Sequence, residues 1–302
     1  MAIIATGLDY ADVRFRGYPG IIATGILHGR AGLALVDPGP QTSLATLTAE
    51  LRERGMSTRD VTELVVTHIH LDHSGAAGHL VRENPAITVY VHAIGAPHLI
   101  DPSRLLASAS KLYGADMQRL WGEILPIPAA NVRALQGGER ITAAGRALRV
   151  AYTPGHAKHH VSYLDEASGL AFVGDTLGIR RAPGTYVMPP APPPDIDLDA
   201  WFESVRRILA WKPSSVFLTH FGPFDHPSSH ADELVARLEE WAGLASALLG
   251  RTELSDAQRC GRFVEDVRRD LRRRMSAEDA EGYERSGRID YSWTGLARAL
   301  SK

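Results

Sequence analysis

Short apolar runs recur along the first two thirds of the chain, and turn residues separate them. The run at 64–66 (Leu-Val-Val) is too short for a helix and leads directly into polar residues, which is typical of a buried strand. Comparable runs that predict strands lie at 21–22, 33–36, 89–91, 148–152, 161–164, 170–173 and 216–218. A helical pattern at 199–211 places Trp201, Val205, Ile208 and Leu209 on one face. This mixture predicts sheets covered by helices, an α/β layered domain.

The pattern becomes helical near residue 227. Apolar residues recur there at helical spacing in two stretches, and these are Leu234, Leu238, Trp241, Ala245 and Leu248, then Phe263, Val264, Val267 and Leu271. We expect Ser229 to cap the first helix, and Ser255 with Gln258 to form a capping box for the second. The chain is therefore predicted to divide into a catalytic domain at 1–226 and a helical extension at 227–302.

The segment 182–194 contains six prolines in thirteen residues, so it cannot continue a helix or a central strand. One interpretation is a stiff surface connection. The other is a wall beside a functional site, because long irregular segments in compact domains are often functional. The sequence leaves both open.

Composition narrows the class of partner. The formal net charge of the 302 residues is −2, so the composition shows no excess of basic residues that would favour binding to nucleic acid or to an anionic membrane. The single cysteine, Cys260, excludes an internal disulfide and a cysteine metal cluster. No signal-peptide pattern or membrane-spanning apolar stretch is present, so we expect a cytoplasmic protein. We also expect a small-molecule substrate, while the oligomeric state stays open.

The segment 67–75 contains the highest density of potential metal-ligating side chains in the chain. His68, His70, Asp72 and His73 fall within six positions, directly after the predicted strand at 64–66. Imidazole and carboxylate groups together suit zinc, iron or manganese. A purely structural role in the protein core does not account for four such groups, because each would need its own buried hydrogen-bond partner. The segment therefore predicts a metal site.

Three further polar residues occupy the same kind of position. His156, Asp175 and His220 each follow the end of a predicted strand, beside a glycine or a proline that permits a sharp turn. Strand ends that present such side chains suggest one site at one edge of the sheets. Asp37, after the strand at 33–36, is either a residue that orients a ligand histidine or a plain turn residue.

The ordered set His68-x-His70-x-Asp72-His73, His156, Asp175 and His220 resembles the metallo-β-lactamase-fold hydrolase superfamily over roughly the first 225 residues. The resemblance implies a four-layer αβ/βα sandwich, of the α/β (α+β) class, with the metals at one edge of the two sheets. It implies that His68, His70 and His156 hold a first metal, that Asp72, His73 and His220 hold a second, and that Asp175 bridges them. It implies two divalent ions, zinc first with iron or manganese as alternatives, and a shared hydroxide that attacks the substrate. Asp72 would carry a proton to the leaving group.

Within that superfamily, the β-lactamase branches lack a bridging aspartate at the position of Asp175. The acyl-homoserine lactonase branch typically has a tyrosine where this chain has Gly178. The glyoxalase II (hydroxyacylglutathione hydrolase) branch is more similar, through His156, His160 and Tyr163 and through Gly-Asp-Thr-Leu at 174–177. That likeness implies substrate contacts from His160, from Tyr186 and from Arg180 or Arg181, which would replace a lysine of the branch.

We therefore predict a dinuclear metal-dependent hydrolase of an ester or thioester, similar to glyoxalase II. One alternative is a mononuclear iron persulfide dioxygenase, which the Gly-Asp-Thr-Leu sequence also resembles. Others are a lactonase or phosphodiesterase of the same fold, or a non-catalytic metal-binding module. Tyr113, Trp121 and Met188 are candidates to line a substrate pocket, or are simply core residues.

Overall fold

The computed structural model describes residues 4–30 and 32–301, and two six-stranded sheets dominate it. The first sheet contains β1 (Leu8–Asp12), β2 (Ala23–His28), β3 (Leu33–Val36), β4 (Val61–Val65), β5 (Thr88–His92) and β6 (Val132–Leu135), in that order. Strands β1 to β3 pair antiparallel, whereas β3 to β6 pair in parallel.

The second sheet contains β7 (Arg140–Ala143), β8 (Arg146–Tyr152), β9 (Val161–Asp165) and β10 (Leu170–Phe172). A small hairpin of β11 (Ile179–Arg180) and β12 (Val187–Met188) then leads to β13 (Ser215–Leu218) and β14 (Gly222–Asp225). The order in this sheet is β14-β13-β10-β9-β8-β7, and only the β10–β13 pair is parallel among its described neighbours.

Helices cover the outer faces of both sheets. Those beside the first sheet are α1 (Leu44–Glu53), α2 (Leu71–Ser74), α3 (Ala77–Glu83), α4 (Ala96–Ile100), α5 (Ser103–Tyr113) and α6 (Met117–Trp121). Those beside the second are α7 (Leu198–Ala210), α8 (Pro227–Leu249), α9 (Asp256–Arg274), α10 (Ala277–Ser286) and α11 (Ile289–Leu300). No helix in the described ranges is long and apolar enough to cross a membrane.

Three apolar cores separate four layers. Strand β3 shows how one sequence serves two of them, since Leu33 and Leu35 face the helices of the first sheet while Ala34 and Val36 face the second sheet. A strand buried on both faces reads as a continuous apolar run, which is why 33–36 has no polar alternation. The third core lies between the second sheet and α7 to α11. The predicted four-layer sandwich is thus confirmed.

The C-terminal helices follow the sequence pattern closely. All the apolar residues predicted on the two helical faces are buried or partly buried in the third core, and Ser255 and Gln258 form the expected capping box. The expectation for Ser229 is wrong, because Pro227 occupies the first turn of α8 and leaves Ser229 exposed inside the helix. These helices share their core with β13, for example through Val216 and Leu218. The division into two domains at 226 and 227 stays a prediction.

Candidate metal centre

The polar residues that follow strand ends converge at one edge of the two sheets, as the sequence predicted. The segment after β4 carries His68, His70, Asp72 and His73, and the loops after β8, β10 and β13 bring His156, Asp175 and His220. The loop after β8 depends on Gly155, whose φ of 134° is a conformation that other residues rarely adopt. A Cβ there would lie 2.3 Å from the Cα of Trp201, so glycine lets the chain turn His156 inward.

The side chains form three overlapping groups able to hold a metal ion. These groups are His68, His70 and His156, then His68, His73 and Asp175, and finally Asp72, His73 and His220. Within each group the ligand atoms lie within 4.8 Å of one another. The first and third groups coincide with the two ligand sets that the family resemblance implies. The assignment of each residue to a particular ion stays a prediction.

The carboxylate of Asp175 reaches both of these sets. Its Oδ2 atom lies 3.3 Å from His156 Nε2, while its Oδ1 atom lies 3.3 Å from His73 Nε2 and 3.6 Å from His220 Nε2. His220 Nε2 is also 3.3 Å from Asp72 Oδ2. A side chain that spans two ligand sets is the arrangement expected of a bridging carboxylate.

The donor set fits metal ions better than it fits a network of hydrogen bonds. The nitrogen atoms His68 Nε2 and His70 Nδ1 face each other at 2.9 Å, and His156 Nε2 lies 3.0 Å from the same His70 atom. His73 Nε2 and Asp175 Oδ1 are buried without a hydrogen-bond partner among the described residues. Buried polar atoms normally have partners, so unpartnered atoms at the centre of a histidine cluster are placed to hold a cation.

The charge states of His68, His70 and the two carboxylates favour coordination as well. Burial lowers the pKa of His68 and His70 well below the ordinary range of histidine, and neighbouring imidazoles lower it further. Burial raises the pKa of Asp72, but His73 and His220 outweigh this effect and bring it to about 2. The same opposing causes place the pKa of Asp175 well below its usual range. Burial lowers the pKa of His73 and His220, but the carboxylates beside them, Asp175 above all, outweigh this effect and raise it. Neutral imidazoles and ionised carboxylates are the forms that bind a metal, so these two histidines would release a proton when a cation binds.

Asp37 orients His73, which confirms the first of its two interpretations. Its fully buried carboxylate accepts from His73 Nδ1 at 2.8 Å, so His73 must present Nε2 to the centre. The same carboxylate accepts from the backbone N and Oγ1 of Thr67 at 2.8 and 2.7 Å, and from Thr219 Oγ1 at 2.6 Å. Such outer contacts fix the tautomer and the direction of a ligand histidine.

Backbone carbonyls orient two further histidines. His220 Nδ1 donates to the carbonyl of Ile21 at 2.8 Å, and His156 Nδ1 donates to the carbonyl of Pro190 at 2.8 Å. The N–H of the same peptide group, at Ala191, donates to Ser292 Oγ of α11 at 3.2 Å. The proline-rich segment and the last helix therefore both help to position His156.

A cavity of about 360 Å³ opens onto the metal centre. It meets His70, Asp72, His156, Asp175 and His220, and its walls come from the loop after β1, from α5 and α6, from 190–192 and from α10 and α11. The proline-rich segment is therefore a wall beside the site, as its second interpretation held. The predicted pocket residues Tyr113 and Trp121 line the cavity, whereas Met188 lies in the third core.

The three predicted substrate contacts lie elsewhere. His160 is buried behind the centre, where it accepts from the backbone N of Asp175 at 3.3 Å. Tyr186 packs in the third core against Tyr283, and Arg180 lies over the ring of Phe224. None of the three lines the cavity, so their predicted contact with a substrate has no support from their position.

Several cavity residues carried no sequence signal. Phe15 lies in the connection between β1 and β2, outside every predicted strand and helix, and Tyr291 belongs to a helix far from the histidine motifs. Only the pairing of remote segments reveals them. Family motifs mark the metal ligands, but they do not mark the residues that shape the cavity.

Comparison of sequences supports the predicted resemblance. A family model described as the metallo-beta-lactamase superfamily matches residues 17–221. The metallo-beta-lactamase fold-containing protein ST1585 of Sulfurisphaera tokodaii is 29% identical over 68% of this chain and 74% of its own length. The thioesterase pkgB of Emericella nidulans is 27% identical over 58% of this chain and 43% of its own length. A hydroxyacylglutathione hydrolase of a Synechococcus species is 29% identical over 50% and 47%. The matches thus span less than half of these two enzymes.

Solved structures show the same fold. The crystal structure of ST1585 superposes with a TM-score of 0.67 at 23% identity, over 96% of this chain and 98% of that one. The family protein TTHA1429 from Thermus thermophilus gives a TM-score of 0.73 at 22% identity, over 99% and 94%. At these identities the likeness establishes the fold alone.

Proposed function

The chain belongs to the metallo-beta-lactamase superfamily, and from this membership we propose that it is a dinuclear metal-dependent hydrolase that cleaves an ester or a thioester. The observation that carries the proposal is the position of Asp175, whose two carboxylate oxygens face different ligand sets. The names of the relatives pkgB, a thioesterase, and hydroxyacylglutathione hydrolase support the choice of bond.

The proposed ligands would form two sets, one for each metal ion. His68, His70 and His156 would hold one ion, Asp72, His73 and His220 the other, and Asp175 would join them. When bound, divalent cations, for which zinc is our first expectation, would lower the pKa of a water molecule to about 7 and stabilise the negative charge that develops on a carbonyl oxygen.

Asp72 and His70 are the two ligand candidates that are only partly buried, and of these Asp72 is the carboxylate. Its side chain is 24% exposed, whereas that of His73 is fully buried. Its carboxylate is ionised near neutral pH, so it can accept a proton from the attacking water. Hydrolysis forms a bond from the water oxygen to the carbonyl carbon and breaks the bond from that carbon to sulfur or oxygen. We propose that Asp72 passes the proton to this leaving atom.

The test combines metal content with turnover of the full chain. We expect about two zinc or manganese ions per chain, as a two-metal site requires, together with hydrolysis of an ester or thioester panel. Asp72→Ala should abolish turnover, while Asp199→Ala, an exposed aspartate of α7, serves as the matched control. One iron per chain with oxygen consumption would instead establish a persulfide dioxygenase. Turnover confined to lactones or phosphodiesters would indicate a lactonase or phosphodiesterase of the same fold. No turnover by the metal-loaded chain would indicate a non-catalytic metal-binding module.

A further inference from the structure

Four aromatic rings form a continuous row along the cavity. Phe15 stacks on Trp121 with ring centroids 5.5 Å apart, Trp121 meets Tyr113 edge to face at 5.1 Å, and Tyr113 meets Tyr291 at 5.6 Å. All four residues line the cavity, and we refer to them as the aromatic wall. Aromatic rings in such contacts supply a large apolar surface with a defined geometry.

The aromatic wall is fixed from both sides. Tyr291 OH donates to the carbonyl of Leu112 at 3.0 Å, which ties α11 to the end of α5. Phe15 and Trp121 are each only 6% exposed. Burial raises the pKa of Tyr113, and the charge of Asp72 raises it further, so this phenol stays neutral. The wall is therefore uncharged and held in place before any ligand arrives, which reduces the cost of ordering it on binding.

The charged residues of the cavity other than the ligand candidates are exposed or partly buried, and four of them form two ion pairs with one another. Arg119 pairs with Asp116 at 3.0 Å, and both side chains are about half exposed. Arg285 pairs with Glu281 at 2.7 Å in the same solvated setting. Exposed pairs of this kind offer little binding energy to a ligand. Beyond the ligand candidates, the buried part of the lining is mostly apolar, from the aromatic wall and from aliphatic residues such as Ile22 and Ile179. Its polar groups among the described residues include Ser292 and Trp121 Nε1, which has no hydrogen-bond partner there.

The apolar inner surface and the charged mouth of the cavity favour different parts of a substrate. If the acyl group of a substrate whose carbonyl lies at the candidate metal centre extends along the inner surface, its leaving group points toward the charged mouth. A polar acyl group would lose water there and find few hydrogen-bond partners, whereas an apolar one would gain from burial. Arg180 and Tyr186, which the glyoxalase II likeness marks for glutathione, lie outside the cavity.

We propose that the substrate is an ester or thioester with an apolar acyl group, a medium-length alkyl chain or an aryl ring, that packs against the aromatic wall. This inference rests on the proposed hydrolase function. It goes beyond that function by assigning specificity to Tyr113, Trp121 and Tyr291, and the last of these lies outside the region that the family model matches.

The test uses the zinc-loaded full chain and thioesters that share one leaving group, N-acetylcysteamine. We expect kcat/KM for the octanoyl and phenylacetyl thioesters to exceed that for the acetyl thioester at least tenfold, since each added apolar group in a fitting pocket contributes about tenfold or more. Tyr291→Ala should reduce this ratio severalfold. Tyr90→Ala is the matched control, because Tyr90 is also partly buried and donates to a remote carbonyl, that of Thr142, but lies outside the cavity.

The outcomes separate the two proposals. If no ester or thioester is turned over, the proposed function fails. If thioesters are hydrolysed but the acetyl compound is used as well as the octanoyl one, the function stands and the apolar specificity is refuted. The specificity is equally refuted if Tyr90→Ala lowers the ratio as much as Tyr291→Ala.

A binding measurement covers the case in which Tyr291→Ala does not fold. Octanoate should quench the fluorescence of Trp121 in the zinc-loaded protein, while acetate at the same concentration should not. Trp121→Phe gives the background from the other four tryptophans. Equal effects of the two carboxylates, or an octanoate effect that persists in Trp121→Phe, would overturn the proposal.

Discussion

Replacing Asp37 by asparagine should weaken the metal centre far more than it weakens the fold. The carboxylate accepts four hydrogen bonds, from His73 Nδ1, from Thr219 Oγ1 and from the backbone and side chain of Thr67. An asparagine oxygen can still accept from the Thr67 backbone, and hydroxyl groups can rotate to accept from the new amide. The amide nitrogen, which then replaces the carboxylate oxygen Oδ2, only donates and cannot accept from His73 Nδ1.

His73 would then have to move its proton from Nδ1 to Nε2. Nε2 is the atom that faces Asp175 at 3.3 Å, so a proton there blocks coordination. Loss of such an orienting contact typically costs about 10- to 100-fold in metal affinity. Asp37→Ala is a harsher change, because it leaves all four buried donors without an acceptor. At about 1 kcal/mol or more for each donor, the cost is at least about 4 kcal/mol.

The assay pairs chelator competition, which gives metal affinity, with thermal unfolding of the metal-free protein. The matched control is Asp165→Asn, since Asp165 is also a buried carboxylate but pairs with Arg146 on β8, away from the centre. We expect this control to lower stability while metal affinity changes by no more than about twofold, as for independent sites. Wild-type metal affinity in Asp37→Asn, or an equal loss in Asp165→Asn, would refute the tautomer argument.

Three other changes probe the last helix and the second sheet. Gly295→Ala would place a Cβ 2.0 Å from the carbonyl oxygen of Ala191, so thermal unfolding should show a stability lower by about 1–3 kcal/mol. The control is Gly261→Ala on α9, where a Cβ would meet open space, and it should leave the stability unchanged or raise it. Equal melting temperatures for these two variants would contradict the close packing of α11. Ser292→Ala removes the acceptor for the peptide that orients His156, so chelator competition should show metal binding weakened by about threefold to tenfold, and unchanged affinity would exclude this role. Burial raises the pKa of Asp165, but Arg146 and Ser168 outweigh this effect and lower the pKa below its value in the unfolded chain. The ion pair of Asp165 with Arg146 therefore stabilises the fold above about pH 4, and this stabilisation is lost as the pH falls through the pKa of the folded state. Acid titration of the unfolding free energy should therefore be flatter in Asp165→Asn than in the wild type, and parallel curves would rule the ion pair out.

The sequence predicts which residues meet at the candidate metal centre because each of them has a local signal. A ligand such as Asp175 stands directly after an apolar strand, and parallel or neighbouring strand ends meet at one edge. The four-layer fold follows from the same runs, since a stretch such as 33–36 must be buried on both faces.

The substrate cavity is less predictable because remote segments build it. The glyoxalase II likeness implies a substrate contact from Tyr186, yet the hairpin of β11 and β12 turns its ring into the core beside Tyr283. Tyr291 and Phe15 meet the cavity only because α11 and the loop after β1 pack across α5 and α6. Periodicity identifies which face of a helix is buried, but it does not identify the neighbour that the face meets.

Metal stoichiometry with a single-ligand variant tests the dinuclear centre most directly. Elemental analysis of the purified full chain should give about two ions per chain, and His220→Ala should reduce this to about one, because His220 belongs to only one of the two proposed ligand sets. His98→Ala, which removes a histidine outside all three ligand groups, should keep both ions. A single ion in the wild type that persists unchanged in His220→Ala would contradict the dinuclear centre.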